Sequence, residues 1–94
     1  MPGIEDIKLA LALLVNDLAE KAPNAVQDVG LLLASIAGRS ESELWDKAGD
    51  QLFEKAKSAK YKDETSYYVF FACVFRGGAV DLAQAERAKE QAAI

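Results

Sequence analysis

The sequence predicts an all-α protein, a compact bundle of four to five short helices forming a single helical domain over residues 1–94. Three observations lead there. Apolar residues recur at steps of three and four through most of the chain, the spacing that gathers them on one side of a helix. No segment alternates with the period of two that a half-buried strand requires. Pro23, Gly38 and Gly77–Gly78 fall between the periodic runs, where helices stop and start.

The first helix is expected from about Ile4 to Lys21. Ile4, Ile7, Leu11, Leu14 and Leu18 make one stripe; Leu9, Leu13 and Val15 widen it, so burial over more than one narrow face is expected. Pro23 stops this helix and suits the opening turn of the next. The second covers about Asn24 to Ala37, with Val26, Val29, Leu33 and Ile36 in register. Gly30 inside it is read as a point of close helix approach, and Gly38 as the left-handed residue that closes the helix.

The third helix runs from Ser40 to about Lys60. Ser40 and Glu43 have the spacing of a capping box. Leu44, Trp45, Ala48, Leu52, Phe53 and Ala56 face inward, while Glu43–Lys47 and Gln51–Lys55 are i,i+4 neighbours on the wet side. Asp63 is the expected N-cap of a fourth helix, about Glu64 to Arg76, which contains "YYVFFACVF", Tyr67–Phe75. That stretch has no charge in a chain of which 28% is charged. Its residue types favour strands, yet nothing else in the chain offers a second strand. Gly77–Gly78 is read as an interruption, followed by an Ala-rich helix from Val80 to about Ala92 with a thin apolar stripe.

A helix that is apolar all round must be covered all round. Two arrangements meet that demand. Helix 64–76 is the central rod of the bundle, or one of its faces meets the core and the other a second chain. The two coexist if the final segment covers only part of the rod.

Composition bounds the chemistry. Apolar residues are 51% of the chain, and 15 acids against 11 bases give a net charge of −4, which disfavours nucleic acid as a partner. There is no histidine, which removes the commonest general base and metal ligand together, and excludes a Ser-His triad at Ser40, Ser42, Ser58 or Ser66. The single cysteine, Cys73, forms no internal disulfide and points to a reducing, cytoplasmic setting; within so apolar a stretch it is expected to be a small core hydrophobe. "MPGIEDIK" lacks a basic leader region, and the uncharged run Leu9–Val15 is too short to span a bilayer. No membrane association, cofactor, metal or catalytic residue is expected.

Three clusters carry weaker signals. Ala34, Gly38 and Leu44 match the spacing of a helix-turn-helix across residues 30–48, but Glu41, Glu43 and Asp46 occupy the opening turns of its reading helix. Lys55, Lys57, Lys60 and Lys62 with Tyr61 form a local basic patch, which also suits a helix C-terminus. Glu43, Asp46, Asp50 and Glu54 line one side of helix three without the spacing of a known cation site. The expectation is therefore a non-catalytic protein-binding module acting through a helical surface. An inhibitor, immunity or assembly-chaperone type fits, with another protein or a second copy of the chain as partner. Trp45, Tyr67, Tyr68, Phe71 and Phe75 are the candidate anchors, since large aromatics dominate interface energies. The alternatives are a small DNA-binding regulator using residues 30–48 and an enzyme working with Asp and Glu alone.

Overall fold

A computed structural model describes residues 4–36, 38–39 and 41–92, with side chains at all of these except 4, 59–61 and 92. Among the described residues there are four α-helices, a 3-10 helix and no strand. The helices are α1 (Ile4–Leu18), α2 (Pro23–Ile36), α3 (Ser42–Ala56) and α4 (Thr65–Ala92); the 3-10 helix, Ala59–Glu64, joins α3 to α4. The all-α expectation holds, and the architecture is a tight α3–α4 hairpin with α1 and α2 packed against it.

Helix α2 ends as its sequence dictates. Gly38 has φ of 77° and the Arg39 amide donates to the Ile36 carbonyl at 3.0 Å, closing the helix through a left-handed residue. Its N-terminus is closed by a distant group. Glu64, almost wholly buried, accepts from the Ala25 amide at 2.9 Å and from the Asn24 side-chain amide at 2.6 Å. A carboxylate here satisfies an orphan amide and complements the positive helix end. The start of α3 is closed in the same way. Glu86 accepts from both the amide and the hydroxyl of Ser42, at 2.9 and 3.0 Å. The expected capping residue, Ser40, lies outside the described residues; Glu41 takes the N-cap position and makes no side-chain cap there.

The core is built from one face of each helix. Leu11, Ala25, Val29, Ile36, Trp45, Ala48, Leu52, Tyr68, Phe71, Phe75 and Leu82 are buried, and Trp45 meets Phe75 with ring centroids 5.2 Å apart. Burying each of the largest of these is worth about 1.5–3 kcal/mol. Asp28 ties three helices together, accepting from the Tyr68 hydroxyl at 2.6 Å and from the Lys55 ammonium at 2.9 Å.

Helices α3 and α4 pack tightly at Gly49, where a Cβ atom would stand 2.8 Å from Arg76 Cγ and 3.2 Å from the Ala72 carbonyl oxygen. Gly30, expected to play that part, has open space around it. Arg76 seals the hairpin flank. Its guanidinium bonds Asp50 and lies 4.9 Å from the centre of the Phe53 ring.

Three expectations about burial and breaks are corrected. Leu9 and Leu13 are exposed at 61% and 58%, so α1 is buried along one narrow stripe centred on Leu11. Gly77–Gly78 does not end helix four: α4 runs through both glycines for 28 residues. Each glycine costs about 1 kcal/mol of helix propensity, and the buried Phe75, Ala79 and Leu82 that flank the pair outweigh it. The Ala-rich segment thus continues α4, which at about 1.5 Å per residue is ~42 Å long in a molecule 49 Å in its longest dimension. A continuous helix cannot fold back on itself, so that segment covers none of the rod.

Candidate functional site

Continuity through Gly77–Gly78 exposes one side of α4. The helix buries Tyr68, Phe71, Ala72, Phe75, Ala79 and Leu82. On the opposite side, Ser66, Phe70, Cys73, Gly77, Val80 and Gln84 follow one another at steps of three and four, all of them exposed. None is charged. Phe70 is 45% exposed and Val80 57%; Val69, exposed as well, and Asp81, half-buried, border the row. Phe70 packs edge-on to Phe71 at 5.6 Å, which steadies the ring while leaving its outer side to solvent.

The residues expected to anchor a partner lie elsewhere. Trp45, Tyr68, Phe71 and Phe75 are fully buried in the chain's own core, and Tyr67 is partly buried against it. Cys73, expected inside, is exposed. One residue on from buried Ala72 the helix has turned by about 100°, enough to carry the thiol off the core face. The exposed members of the apolar stretch are those that fall between the aromatic pairs facing the core. That separation into two faces was available in the sequence from the spacing of Tyr68, Phe71, Phe75 and Leu82, once Leu82 is placed on the same helix.

The neighbouring surfaces are charged. Helix α3 exposes Glu43, Asp46, Lys47, Asp50, Gln51 and Glu54. Glu43 pairs with Lys47 at 3.1 Å, as the i,i+4 spacing predicts. Lys55 reaches Asp28 and Lys57 reaches Glu54, so two lysines of the basic patch are engaged in ion pairs within the chain. The side chains of Lys60 and Tyr61 lie outside the described residues. The bond to Asp50 raises the Arg76 pKa above its already high value, and Glu41 does the same for Arg39.

Among the described residues, no group of three or more acidic or cysteine side chains converges as a metal site would require. No helix among them is long and apolar enough to cross a membrane. A groove of about 250 Å³ runs beside Val80 between the two hairpin helices, walled by Ser42, Glu43, Asp46, Ala79 and Ala83. Compared with protein-family models, curated proteins and solved structures, the chain matches none of them.

Proposed function

We propose that this protein is a non-catalytic binding module whose working surface is the outer face of α4 and whose partner is a polypeptide. The observation that carries this is the charge-free row from Ser66 to Gln84, set on a molecule whose neighbouring helix α3 dresses its own outer face in acids and a lysine. A solvent face held for solubility alone carries charge; a row without charge that sets Phe70 and Val80 either side of Cys73 and Gly77, with Asp81 only at its edge, favours association. Phe70 and Val80 take the role first expected of the buried aromatics.

A DNA-binding role for residues 30–48 is not favoured. The outer face of α3 carries four carboxylates, Glu43, Asp46, Asp50 and Glu54, where a reading helix needs basic or neutral groups against phosphate.

The test places a photoreactive phenylalanine analogue at position 70 and, as control, at position 47 on α3. The expected result is a covalent adduct with a polypeptide, another copy of the chain included, from position 70 only, suppressed by Gly77→Glu in the same chain. Equal labelling from both positions, or none from position 70 in either the purified protein or its native cell extract, would refute the reading.

A further inference from the structure

The molecule divides along a second line, between its first two helices and its last two. Helices α1 and α2 turn directly into each other. The Lys21 and Ala22 amides both donate to the Leu18 carbonyl, at 3.1 and 2.8 Å, and the Val26 amide donates to the Ala22 carbonyl at 2.9 Å. Opposite them stands the α3–α4 hairpin, whose seam is the most extensive contact among the described residues. Within the hairpin Trp45 meets Phe75, Arg76 bonds Asp50, and Glu86 closes the start of α3. None of these contacts involves α1 or α2.

The two pairs meet over a thinner boundary. Among the described side chains α1 buries only Leu11, and α2 buries Ala25, Val29 and Ile36. These are small or aliphatic groups, and each removes less apolar surface from water than an aromatic ring of the seam. Two carboxylates add to the hold. Glu64, at the end of the 3-10 helix, accepts from the Asn24 side chain and the Ala25 amide; Asp28 accepts from the Tyr68 hydroxyl and the Lys55 ammonium. Both grip the first two turns of α2. A carboxylate that leaves such partners is met by water, so these bonds open with less loss than their strength in the closed state suggests.

We infer that α1 and α2 form a strap that lifts from the hairpin as one unit, latched by Glu64 and Asp28, and that the open state bares Tyr68 while the α3–α4 seam stays closed. Gly38, in the connection to α3, already holds a positive φ and has no Cβ to hinder a change of direction. Units that open cooperatively follow supersecondary motifs, and two helices sharing a turn are one such motif. The strap does not involve the outer row of α4, so it stands or falls separately from the binding-module reading. As a device it gates a second surface: a polypeptide that reaches the Tyr68 side of α4 binds the open form and draws the equilibrium towards it.

Native-state hydrogen exchange on the purified full chain, read by NMR across sub-denaturing urea, tests this. The amides of Leu14 in α1 and of Val29 and Leu33 in α2 should exchange about 100-fold or more faster than the seam amides of Leu52 and Phe75. Their urea dependence should be shared and shallower, because opening the strap exposes less surface than global unfolding does. Two variants separate strap from seam. Gly49→Ala presses a methyl group on Arg76 Cγ and the Ala72 carbonyl, contacts that persist in the open state. It should therefore speed the seam amides about tenfold and leave those of α1 and α2 unchanged. Glu64→Gln weakens a latch that is absent from the open and the unfolded states alike, so it should speed both sets by the same factor.

A single opening free energy and a single urea slope across α1, α2 and the seam overturn the inference. So do different slopes for α1 and α2, which would make them two units. Gly49→Ala speeding α1 and α2 as much as the seam overturns it too, as does unchanged exchange in Glu64→Gln. If Gly49→Ala fails to fold, Glu86→Ala loosens the same hairpin through Ser42 and takes its place.

Discussion

The two helices of the hairpin bury comparable faces against each other and present opposite faces to water. Outside, α3 carries Glu43, Asp46, Lys47, Asp50, Gln51 and Glu54, while α4 carries Ser66, Phe70, Cys73, Gly77, Val80 and Gln84. Both helices meet the same internal demand. Trp45, Leu52, Phe71 and Phe75 fill the seam, and Gly49 lets the backbones close. The difference is therefore not a folding requirement. Packing constrains the inner faces and leaves the outer faces free, so the proposed binding role rests on a row that packing did not dictate, bordered by part-buried Asp81.

The contrast is open to direct attack, and the largest effect should come from the seam. Phe75→Ala removes the ring that meets Trp45 and should cost about 3–5 kcal/mol in chemical denaturation, whereas Phe70→Ala should cost at most about 1 kcal/mol in the monomer. Equal losses would erase the distinction between inner and outer face. Next come the glycines. Gly49→Ala forces a methyl against Arg76 Cγ and the Ala72 carbonyl, and a loss of about 1–3 kcal/mol is expected. Gly77→Ala, with open space around it, should gain up to about 1 kcal/mol. Opposite signs at these two sites, read as shifts in thermal midpoint, locate the tight side of α4.

A smaller effect is expected where the hairpin ends are tied. Glu86→Ala takes the acceptor away from the Ser42 amide and hydroxyl, an N-cap lost from a distance of 44 residues, and should cost about 0.5–2 kcal/mol. Hydrogen exchange should quicken at the first turn of α3 and not at its last. The least effect belongs to the charged outer face itself. Lys47→Ala breaks the exposed pair with Glu43 and should change stability by no more than about 0.5 kcal/mol.

Much of the fold was legible along the chain. Steps of three and four placed α2 and α3 with nearly the right inward residues, although Leu31, exposed at 64%, gives α2 an apolar residue on its outer side as well. Gly38 closed α2 for a reason local to the backbone: a positive φ suits a residue without Cβ. Helix α4 resisted the same reading. In Tyr67–Phe75 every position is apolar, so periodicity disappears where it was most needed. Gly77–Gly78 then looked like a stop, since local propensity is visible in sequence and the buried contacts that override it are not. The upper count of five came from that one misjudged break; the four α-helices observed lie within the four to five expected. The misjudged break also left a final segment free to cover a rod that it in fact extends. The anchors Trp45, Tyr68, Phe71 and Phe75 were chosen by residue type, which ranks aromatics as strong contributors without saying on which side of a helix they fall.

By itself the sequence determined the helical class, the C-terminal end of α2, the inner face of α3 and the exclusion of histidine chemistry. Each of these depends on residue identity or on spacing within about four positions, distances over which the backbone fixes geometry. Only the tertiary structure decided that α4 runs unbroken, that Glu64 and Glu86 close helices some 40 positions away, and that Phe70, Cys73 and Val80 face water. Those outcomes turn on which surfaces meet, and a helix apolar on every side becomes two-faced only when the rest of the chain has covered one of them.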